Sequence, residues 1–429
     1  MTERFFDVAV IGGGAAGMAA ALELDSRGFS CAIVEREDFL GGILMQCIHN
    51  GFGIHEFTQE LTGPEFAERF IERVLESKIE VFLNTTVTRF DADCGSPSAS
   101  SCPPPPINKT LVCVSPNGVT LVRCRAVVLA MGCRERNRGN IRIPGSRPAG
   151  VFTAGLAQRL VNIEGYIPGR EIVIIGSGDI GLIMARRMSW VGCTVKAVIE
   201  IMPYPAGLTR NIVQCLKDFG IPLFLSCQTT NIFGNDRVEG VEVTPMENGV
   251  PVPEKRFRID CDTVLLSVGL VPENELSRAA GVELSVATGG PLVDSGLMTS
   301  IDGVFACGNA LHVHDLADWV SQESRMAGRY VAEWLGGSRP VLQIPTKPGS
   351  NVRYVSPGRV DPARDNKVYL RSLVVKNNAV LELRLGKRVI KSVKKTRVQP
   401  SEMIGVNIRP KDFPGVAERE DVALEFCIT

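Results

Sequence analysis

The stretch DVAVIGGGAAGMAAALELDSRGFSCAIVE, residues 7–35, decides the fold of this chain. An apolar run leads into a glycine turn, a segment of helical period follows, and a second apolar run ends on an acid. The same order recurs in EIVIIGSGDIGLIMARRMSWVGCTVKAVIE, residues 171–200. Each copy predicts a βαβ unit, and the repetition predicts two α/β domains built on one plan.

The repeat continues beyond these two units. Residues 79–90 match 221–233, and the run AVVLAMG at 126–132 matches TVLLSVG at 263–269. Both copies therefore predict a βαβ unit, a β-meander and a return strand. The sequence SPNG at 115–118 has the composition of a hairpin turn between two strands of the first meander.

Other segments differ from the repeat. Residues 94–106, CGSPSASSCPPPP, are low in complexity and predict a solvated loop insertion. The segment 303–335 predicts a third strand followed by a helix. After Pro340 short alternating runs predict a β-rich terminal domain. In that domain the run LRLGKRVIKSVKKTRV at 383–398 predicts a strand with a solvated face, and a docking surface for a partner subunit is the alternative.

The composition excludes several classes of function. Lys plus Arg equals Asp plus Glu at 47 each, so no overall charge favours nucleic acid. No segment has the roughly 20 apolar residues of a membrane-spanning helix, and the apolar run from Val8 lacks the pattern of a signal peptide. The 13 cysteines are scattered without a CxxC pair or a zinc-like spacing, which favours reduced thiols in the cytosol. We expect a cytoplasmic protein without a transmembrane segment.

The glycines and acids of both units fit dinucleotide binding. In Gly12-x-Gly14-x-x-Gly17 the first glycine allows a tight turn, the second lets a pyrophosphate approach the backbone, and the third lets the helix pack on the strand. Glu35 ends the second strand, where a carboxylate accepts hydrogen bonds from ribose hydroxyls. One such motif also occurs in plain strand-to-helix turns. Two copies, each with an acid at the expected distance, predict dinucleotide binding.

The second copy also indicates which nicotinamide nucleotide binds. It consists of Gly176, Gly178 and Gly181 with Glu200 at the end of its second strand. An acid at this position repels a 2′-phosphate, so the sequence favours NAD over NADP. Arg210 could reverse this preference if it folded back toward the strand end.

Together these features resemble the pyridine nucleotide-disulfide oxidoreductase superfamily, flavoproteins with two dinucleotide-binding domains. The resemblance covers residues 5 to about 340. It implies an α/β fold with two Rossmann-like domains of three-layer ββα architecture, one for FAD and one for NAD. The FAD domain would comprise residues 1–150 and 299–340, the NAD domain 151–298 would be inserted in it, and 341–429 would form the β-rich C-terminal domain.

The resemblance also assigns the cofactor-binding residues. For FAD these are Gly12, Gly14, Ala15, Ala16, Gly17, Glu35, Arg36, Gly41, Gly42, Ala130, Gly132, Gly308 and Asn309. For NADH they are Gly176, Gly178, Asp179, Ile180, Gly181, Glu200 and Gly269. The superfamily usually has Gly-Asp where this chain has Gly308-Asn309, and the loss of that charge predicts weaker binding of FAD.

The stretch GGILMQCIHNGFG at 41–53 raises the question of a thiol centre. Disulfide reductases of the superfamily carry two cysteines over the flavin, whereas only Cys47 follows the glycine pair here, so a dithiol mechanism is disfavoured. Two interpretations remain open. Cys47 is a single redox cysteine assisted by His49, or both are ordinary residues of a glycine-rich cover that shapes the flavin pocket.

A second pair of histidines, His312 and His314, precedes the late helix. This helix is expected to begin near Leu316 with Asp315 as its N-cap. In the superfamily such a helix points its positive end at the pyrimidine edge of the flavin, which favours reduction. We therefore expect both histidines to contact the flavin. A metal site is not expected, because no carboxylate or cysteine cluster completes one.

Three stretches, GGILMQCIHNGFG, LTGPEFAERF and CGNALHVHDLADWVSQES, are similar to a narrower group of FAD- and NAD-dependent oxidoreductases without the redox disulfide. Members accompany a glycerol-3-phosphate-dehydrogenase-like flavoprotein. The resemblance implies that NADH exchanges a hydride with FAD, and that electrons pass to or from a partner flavoprotein or another acceptor within an oligomer. The alternatives are a thiol or peroxide reductase using Cys47, and an FAD-binding subunit of an amine- or hydroxy-acid-oxidising complex.

Overall fold

The computed structural model describes four stretches of the 429-residue chain, 2–92, 105–339, 342–413 and 422–429. The chain divides into two compact units. The first consists of Met1–Met45, Asn50–Cys133 and Pro272–Thr429, and the second of Gln46–His49 and Arg134–Val271. The predicted loop insertion at 94–106 lies almost entirely outside the described residues.

The chain contains both strands and helices as far as Leu335, and the described residues after it form strands and one 3₁₀ turn. The strands are β1 (Thr2–Ile11), β2 (Cys31–Val34), β3 (Asn50–Phe52), β4 (Leu61–Thr62), β5 (Glu80–Phe82), β6 (Thr86–Ala92), β7 (Lys109–Ser115), β8 (Gly118–Leu129), β9 (Cys133–Glu135), β10 (Val151–Thr153), β11 (Glu171–Ile175), β12 (Thr194–Ile199), β13 (Leu223–Phe224), β14 (Cys227–Gly234), β15 (Val238–Glu247), β16 (Val250–Pro251), β17 (Phe257–Asp260), β18 (Thr263–Leu266), β19 (Leu270–Pro272), β20 (Val304–Ala306), β21 (Ile344–Pro348), β22 (Val352–Ser356), β23 (Arg359–Val360), β24 (Asn366–Ser372), β25 (Lys376–Leu385), β26 (Arg388–Val398), β27 (Met403–Ile408) and β28 (Leu424–Ile428). The α-helices are α1 (Ala15–Ser26), α2 (Gly63–Leu75), α3 (Arg138–Ile141), α4 (Ala154–Asn162), α5 (Asp179–Trp190), α6 (Thr209–Cys215), α7 (Glu275–Ala279) and α8 (Ala317–Leu335).

The first unit is built on a mostly parallel sheet of order β5-β2-β1-β8-β7-β6, with β20 beside β8. Val8, Ala9 and Val10 of the central strand β1 are fully buried. Both faces of such a strand are covered, which is why it appears in the sequence as a continuous apolar run. The helices α1 and α8 pack closely, since an added Cβ on Gly328 would lie 2.6 Å from the carbonyl oxygen of Ala20.

Strand β8 belongs to two parts of this sheet. Its first half pairs antiparallel with β7 across the turn at Ser115–Gly118, and its end runs parallel to β20. On its other edge it runs parallel to β1 from Thr120 to Leu129. The predicted hairpin at 115–118 is therefore confirmed. The last strand of the meander and the return strand at 126–132 are one continuous strand.

The second unit repeats the plan. Its parallel sheet has the order β10-β18-β11-β12-β13, and β14, β15 and β17 form an antiparallel meander. Leu182 and Met188 of α5 pack in one core with Ile172 and Leu265 of the sheet. The α/β fold of two Rossmann-like units is thus confirmed. The assignment of 151–298 as the NAD-binding domain remains a prediction.

The region from β21 onward forms two sheets, β23-β21-β28-β25-β26 and β22-β24-β27. Leu381 and Phe426 of one sheet and Leu370 of the other belong to a single buried core. The β-rich character predicted for this region is confirmed. Among the described helices of the whole chain, none has both the length and the apolar character that crossing a bilayer requires.

The prediction of one strand at 383–398 was wrong in detail. Strand β25 ends at Leu385, β26 begins at Arg388, and the two pair antiparallel as a hairpin. Gly386, with φ +61°, supplies the left-handed residue of the turn. The alternating pattern of apolar and basic residues continues through this turn, so periodicity alone did not reveal it.

Replacing a core ring of α2 tests the packing of the first unit. Phe66 is fully buried and contacts the rings of Phe57 and Phe70 at centroid distances of 5.3 and 5.4 Å. We expect Phe66→Ala to lower the free energy of unfolding by about 3–5 kcal/mol, measured by urea denaturation. The control Phe5→Ala, at a ring that is 57% exposed, should change it by less than about 0.5 kcal/mol. Equal effects of the two substitutions would contradict this packing.

Candidate functional site

The first glycine turn is packed on one side and open on the other. Gly12 has φ +108°, and an added Cβ would lie 2.4 Å from the carbonyl oxygen of Ala130. A Cβ on Gly17 would lie 1.8 Å from the carbonyl oxygen of Gly12. By contrast, a Cβ on Gly14, the N-cap of α1, would have no contact within 4 Å among the described residues. The open side faces the helix N-terminus, where backbone N–H groups bind phosphate.

Glu35 fixes this turn from the end of β2. Its side-chain oxygens accept hydrogen bonds from the N–H of Gly13 at 2.6 Å and of Glu37 at 2.9 Å, and the residue is 7% exposed. An ionised carboxylate has about four lone-pair sites. Glu35 therefore holds the turn and keeps acceptor capacity for ribose hydroxyls.

A cavity of about 400 Å³ lies at the carboxyl ends of β1 and β2. Open α/β sheets bind ligands at this end of their strands. Beside the glycine turn, the cavity is lined by the polar side chains of Arg36 and of the threonines that follow β5. The lining residues are Ile11, Gly12, Val34, Glu35, Arg36, Thr85, Thr86, Val87, Thr88, Met131, Glu273, Glu275, Leu276 and Ala279. These residues fit the adenosine end of a dinucleotide.

A second glycine-rich loop lies against the first turn. The N–H of Gly41 donates to the carbonyl oxygen of Gly13 at 2.9 Å, and a Cβ on Gly42 would lie 3.2 Å from the Cα of Gly14. Both Gly41 and Gly42 have positive φ, at +105° and +56°. The predicted FAD residues Ala15 and Ala16, the first two residues of α1, are buried.

The second unit has the same construction. Gly176 has φ +93°, and a Cβ there would lie 2.1 Å from the carbonyl oxygen of Ser267. Glu200 is 5% exposed and accepts hydrogen bonds from the N–H of Ser177 at 2.9 Å and of Met202 at 2.9 Å. Gly178 is the N-cap of α5. Glu200 thus occupies the same position in its unit as Glu35 does in the first.

Other predicted NADH residues also lie around this turn. Asp179, the first residue of α5, accepts from the N–H of Leu208 at 2.8 Å and from Nδ2 of Asn211 at 2.7 Å. Ile180 packs against the core of the unit, and a Cβ on Gly181 would lie 2.7 Å from the Cβ of Ser267. The carbonyl oxygen of Gly269 accepts from the N–H of Arg136 at 3.0 Å. Arg210 is exposed on the short helix α6.

The residues that the resemblance places near the flavin follow β8. The N–H of Ala130 donates to the carbonyl oxygen of Ile11 at 3.0 Å, which joins this strand end to the first glycine turn. Gly132 has φ +75°, and its carbonyl oxygen accepts from the N–H of Glu273 at 3.0 Å. Ala130 therefore lies beside the turn that carries Gly12, and Gly132 follows it by two residues.

Cys47 and His49 lie in the segment Gln46–His49, which belongs to the second unit. The thiol of Cys47 lies 3.7 Å from Oε1 of Gln158 on α4, and His49 is half-buried. Burial raises the pKa of the Cys47 thiol to about 12. The thiolate that a redox cysteine needs is therefore disfavoured at neutral pH. No disulfide joins any of the eleven cysteines in the described stretches.

The backbone of Gly308 and the side chain of Asn309 form hydrogen bonds that hold the late glycine turn in place. Gly308 has φ +63°, and an added Cβ would lie 2.8 Å from the Cβ of Ala16. Its N–H donates to Oε2 of Glu323 at 2.8 Å. Oδ1 of Asn309 accepts from the N–H of His314 at 2.9 Å, and Nδ2 donates to the sulfur of Cys133 at 3.5 Å. The turn thus lies against α1 with its polar groups engaged.

His312 and His314 converge on Glu323. Nε2 of His312 lies 2.8 Å from Oε1 and Nε2 of His314 lies 3.1 Å from Oε2 of this carboxylate, and the three side chains are at most 3% exposed. Burial alone would raise the pKa of Glu323, but the two histidines hold it below its usual value. Burial lowers the pKa of His312, although the carboxylate opposes this. The ring of Tyr369 packs against both imidazoles.

The prediction that Asp315 caps α8 was wrong. The N-cap is Leu316, without a side-chain hydrogen bond, and Asp315 instead accepts from Arg371 at 2.5 Å and from the N–H of Met403 at 2.6 Å. Asp315 therefore binds residues of the β-rich region instead of capping α8. Near the start of the helix, buried Asp318 accepts three N–H groups of the 53–56 loop.

Sequence reasoning missed Glu323 and Asp318. Glu323 lies on the buried face of α8, as Val331 does. An acid among the apolar positions of a helix indicates a buried charge with a partner, and this pattern could have identified Glu323 from the sequence. Asp318 gave no such signal, because an acid in the first turn is common on exposed helices. Its three backbone donors are more than 260 residues away in sequence.

Comparison with known proteins identifies relatives over most of the chain. The family model described as pyridine nucleotide-disulphide oxidoreductase matches residues 6–330. An opine oxidase subunit of Agrobacterium tumefaciens is 25% identical over 351 residues, which are 76% of this chain and 65% of that protein. The glutamate synthase (NADPH) small chain of Mycobacterium tuberculosis is 29% identical over 377 residues, 80% of this chain and 69% of that protein.

Solved structures show the same fold. Thioredoxin reductase of T. acidophilum superposes with a TM-score of 0.61 at 24% identity, over 77% of this chain and 98% of that chain. L-proline dehydrogenase of P. horikoshii superposes with a TM-score of 0.54 at 20% identity, over 78% of this chain and 56% of that chain. The family match ends at residue 330, before the β-rich region begins.

A methyl group at Gly14 tests whether FAD needs the open side of the first turn. The backbone of Gly14, at φ −78°, accepts alanine, and the new Cβ meets no described residue within 4 Å. We expect Gly14→Ala to fold normally by circular dichroism and thermal melting, but to retain less than about a tenth of the flavin per chain, because the methyl group occupies the space of the pyrophosphate.

The matched control is Gly336→Ala, at a glycine of similar φ, −75°, at the end of α8. The nearest atom to its added Cβ would be at 3.4 Å, an ordinary contact. This variant should purify with as much flavin as the unchanged protein. Full flavin content in Gly14→Ala would contradict the assignment of the first turn.

Proposed function

Because the chain belongs to the pyridine nucleotide-disulphide oxidoreductase family and is an FAD- and NAD(P)H-dependent oxidoreductase, we propose that it exchanges a hydride between NADH and FAD. The duplicated turn carries this proposal. Each unit has a glycine turn at a helix N-terminus and a buried glutamate that binds the turn. Bound FAD supplies the ring that accepts or gives the hydride. The chain binds both cofactors and orients them.

Glu200 supports NADH rather than NADPH as the nicotinamide partner. Its carboxylate is held at the end of β12 by the N–H groups of Ser177 and Met202, and the hydroxyl of Ser177 donates to it at 2.6 Å. A fixed negative charge at this position accepts hydrogen bonds from a free ribose and repels a 2′-phosphate. We therefore assign Gly176, Gly178 and Glu200 to NADH.

We propose that no cysteine thiol takes part in the reaction. A thiol nucleophile needs a lowered pKa and an electropositive environment. The pKa of Cys47 is instead raised to about 12 by burial. This favours the interpretation of the 41–53 stretch as a glycine-rich cover over the alternative of a thiol or peroxide reductase.

The second half of the proposal concerns the fate of the electrons. Two of the relatives, the opine oxidase subunit and the glutamate synthase small chain, are named as parts of larger enzymes. The chain spans 65% of the length of the former. We propose that this chain likewise exchanges electrons with a partner flavoprotein, of the glycerol-3-phosphate-dehydrogenase-like kind implied by the resemblance. The likeness to the opine oxidase protein favours, as second candidate, an FAD-binding subunit of an amine-oxidising complex.

Coenzyme preference tests the role of Glu200. In anaerobic stopped-flow experiments, flavin should bleach faster with NADH than with NADPH. Glu200→Gln removes the charge and should shift the ratio of the two rate constants toward NADPH by about tenfold, or roughly 1.4 kcal/mol.

Glu35→Gln is the matched control, because Glu35 occupies the equivalent position of the first unit. It should lower the FAD content and leave the coenzyme ratio of the remaining holoenzyme unchanged. A preference of the unchanged protein for NADPH, or an unaltered ratio in Glu200→Gln, would refute the assignment.

Substitution of Cys47 separates the proposal from a thiol mechanism. Cys47→Ser should keep both flavin bleaching by NADH and any steady-state turnover with a small disulfide or hydrogen peroxide within about twofold of the unchanged protein, because sulfur takes no part. Intact bleaching combined with lost turnover would instead establish Cys47 as a redox residue.

A further inference from the structure

The hydride exchange proposed above assigns no step to the cluster of His312, His314 and Glu323. Both imidazole Nε2 atoms contact the carboxylate, whereas both Nδ1 atoms are buried and have no partner within the described stretches. An ionised carboxylate accepts hydrogen bonds without donating, so each Nε2 carries the hydrogen. Neither Nδ1 has an acceptor for a second N–H within the described stretches, so both rings are neutral, and the cluster as a whole carries one negative charge.

The geometry leaves a place for one further proton. It can be added at Nδ1 of either ring without breaking a hydrogen bond to Glu323. The two ring centroids are 4.4 Å apart, so a second proton would be repelled by the first in this buried site. The cluster can therefore change between a net charge of −1 and a neutral state.

The surrounding groups do not neutralise the carboxylate. Arg371 is the cation nearest His312, and its guanidinium already pairs with Asp315. Lys367 lies over the ring of Tyr369 and its pKa is lowered by burial. Three further groups near the cluster, Tyr354, Tyr369 and Cys307, stay neutral, because burial raises the pKa of each above its usual value.

The position of the carboxylate gives this charge a consequence for FAD. Glu323 accepts the N–H of Gly308 at 2.8 Å, and Gly308 lies against Ala16 in the first turn of α1. The anionic pyrophosphate of FAD would come near a negative cluster in a site of low dielectric, which is unfavourable. We propose that His312, His314 and Glu323 take up one proton when FAD binds, and so hold the Gly308 turn without repelling the cofactor. The proposal rests on the placement of FAD at this turn, and it makes the three side chains positioning residues.

The direction of the pH dependence follows from the charges. A nearby anion stabilises the protonated imidazole, so the pKa of His312 is higher with FAD bound than without it. Burial lowers the pKa of His312 in the cofactor-free protein. Proton uptake therefore occurs between these two values, and the affinity for FAD rises as pH falls through that window, by up to about tenfold per pH unit.

Calorimetry on the full-length protein tests the proposal. Protein freed of flavin is titrated with FAD in two buffers of different ionisation enthalpy, at several pH values between about 5.5 and 8.5. The difference in observed enthalpy gives the number of protons bound per FAD. We expect uptake that approaches about one proton within this range and declines toward both ends. Absence of uptake at every pH would overturn the proposal.

Variants identify the group that binds the proton. Glu323→Gln removes the charge, so uptake should fall to near zero and the affinity for FAD should lose its pH dependence. The double variant His312→Gln/His314→Gln should behave alike, whereas the exposed His55→Gln is the matched control and should keep the uptake.

Unchanged uptake in Glu323→Gln, or a stoichiometric metal found by elemental analysis of the purified protein, would overturn the assignment. If circular dichroism shows that the variants do not fold, the titration of the unchanged protein decides. The titration uses no NADH, so its failure is distinguishable from failure of the proposed hydride exchange.

Discussion

The close approach of a glycine to the carbonyl oxygen of a neighbouring strand governs both nucleotide units. Gly12 is packed on Ala130 and Gly176 on Ser267, each with a positive φ and without room for a side chain. The chain can therefore turn directly at the end of the strand. The N-terminus of the following helix then faces open space at the carboxyl edge of a parallel sheet, where anionic ligands bind.

Buried carboxylates hold the loops around these turns. Glu35 and Glu200 accept N–H groups of their glycine turns, Asp318 accepts those of the 53–56 loop, and Glu323 accepts that of Gly308. A carboxylate that accepts backbone N–H groups fixes a loop while the space in front of the loop stays open. It also places negative charge beside a site for anionic cofactors. That charge is the basis of both proposals made above, the preference for a free ribose at Glu200 and the proton coupling at Glu323.

The sequence alone predicted the parts of the fold that depend on local pattern. The duplicated βαβ units, their glycine turns and the hairpin at 115–118 follow from periodicity and turn composition. The side-chain partners did not follow. Asp315 has the composition of an N-cap, but it pairs with Arg371 from the β-rich region. The contact between His312 and Glu323 was not predicted either, because periodicity does not reveal which side chains meet.

The central claim is that one chain brings NADH and FAD together without a redox thiol. The most direct measurement is an anaerobic titration of the purified holoenzyme with NADH, followed through the visible absorbance of the flavin. The account predicts complete bleaching at one equivalent of NADH, without the long-wavelength band that a thiolate next to oxidised flavin produces. A flavin that stays oxidised with NADH and bleaches only with an amine or a hydroxy acid would contradict the account.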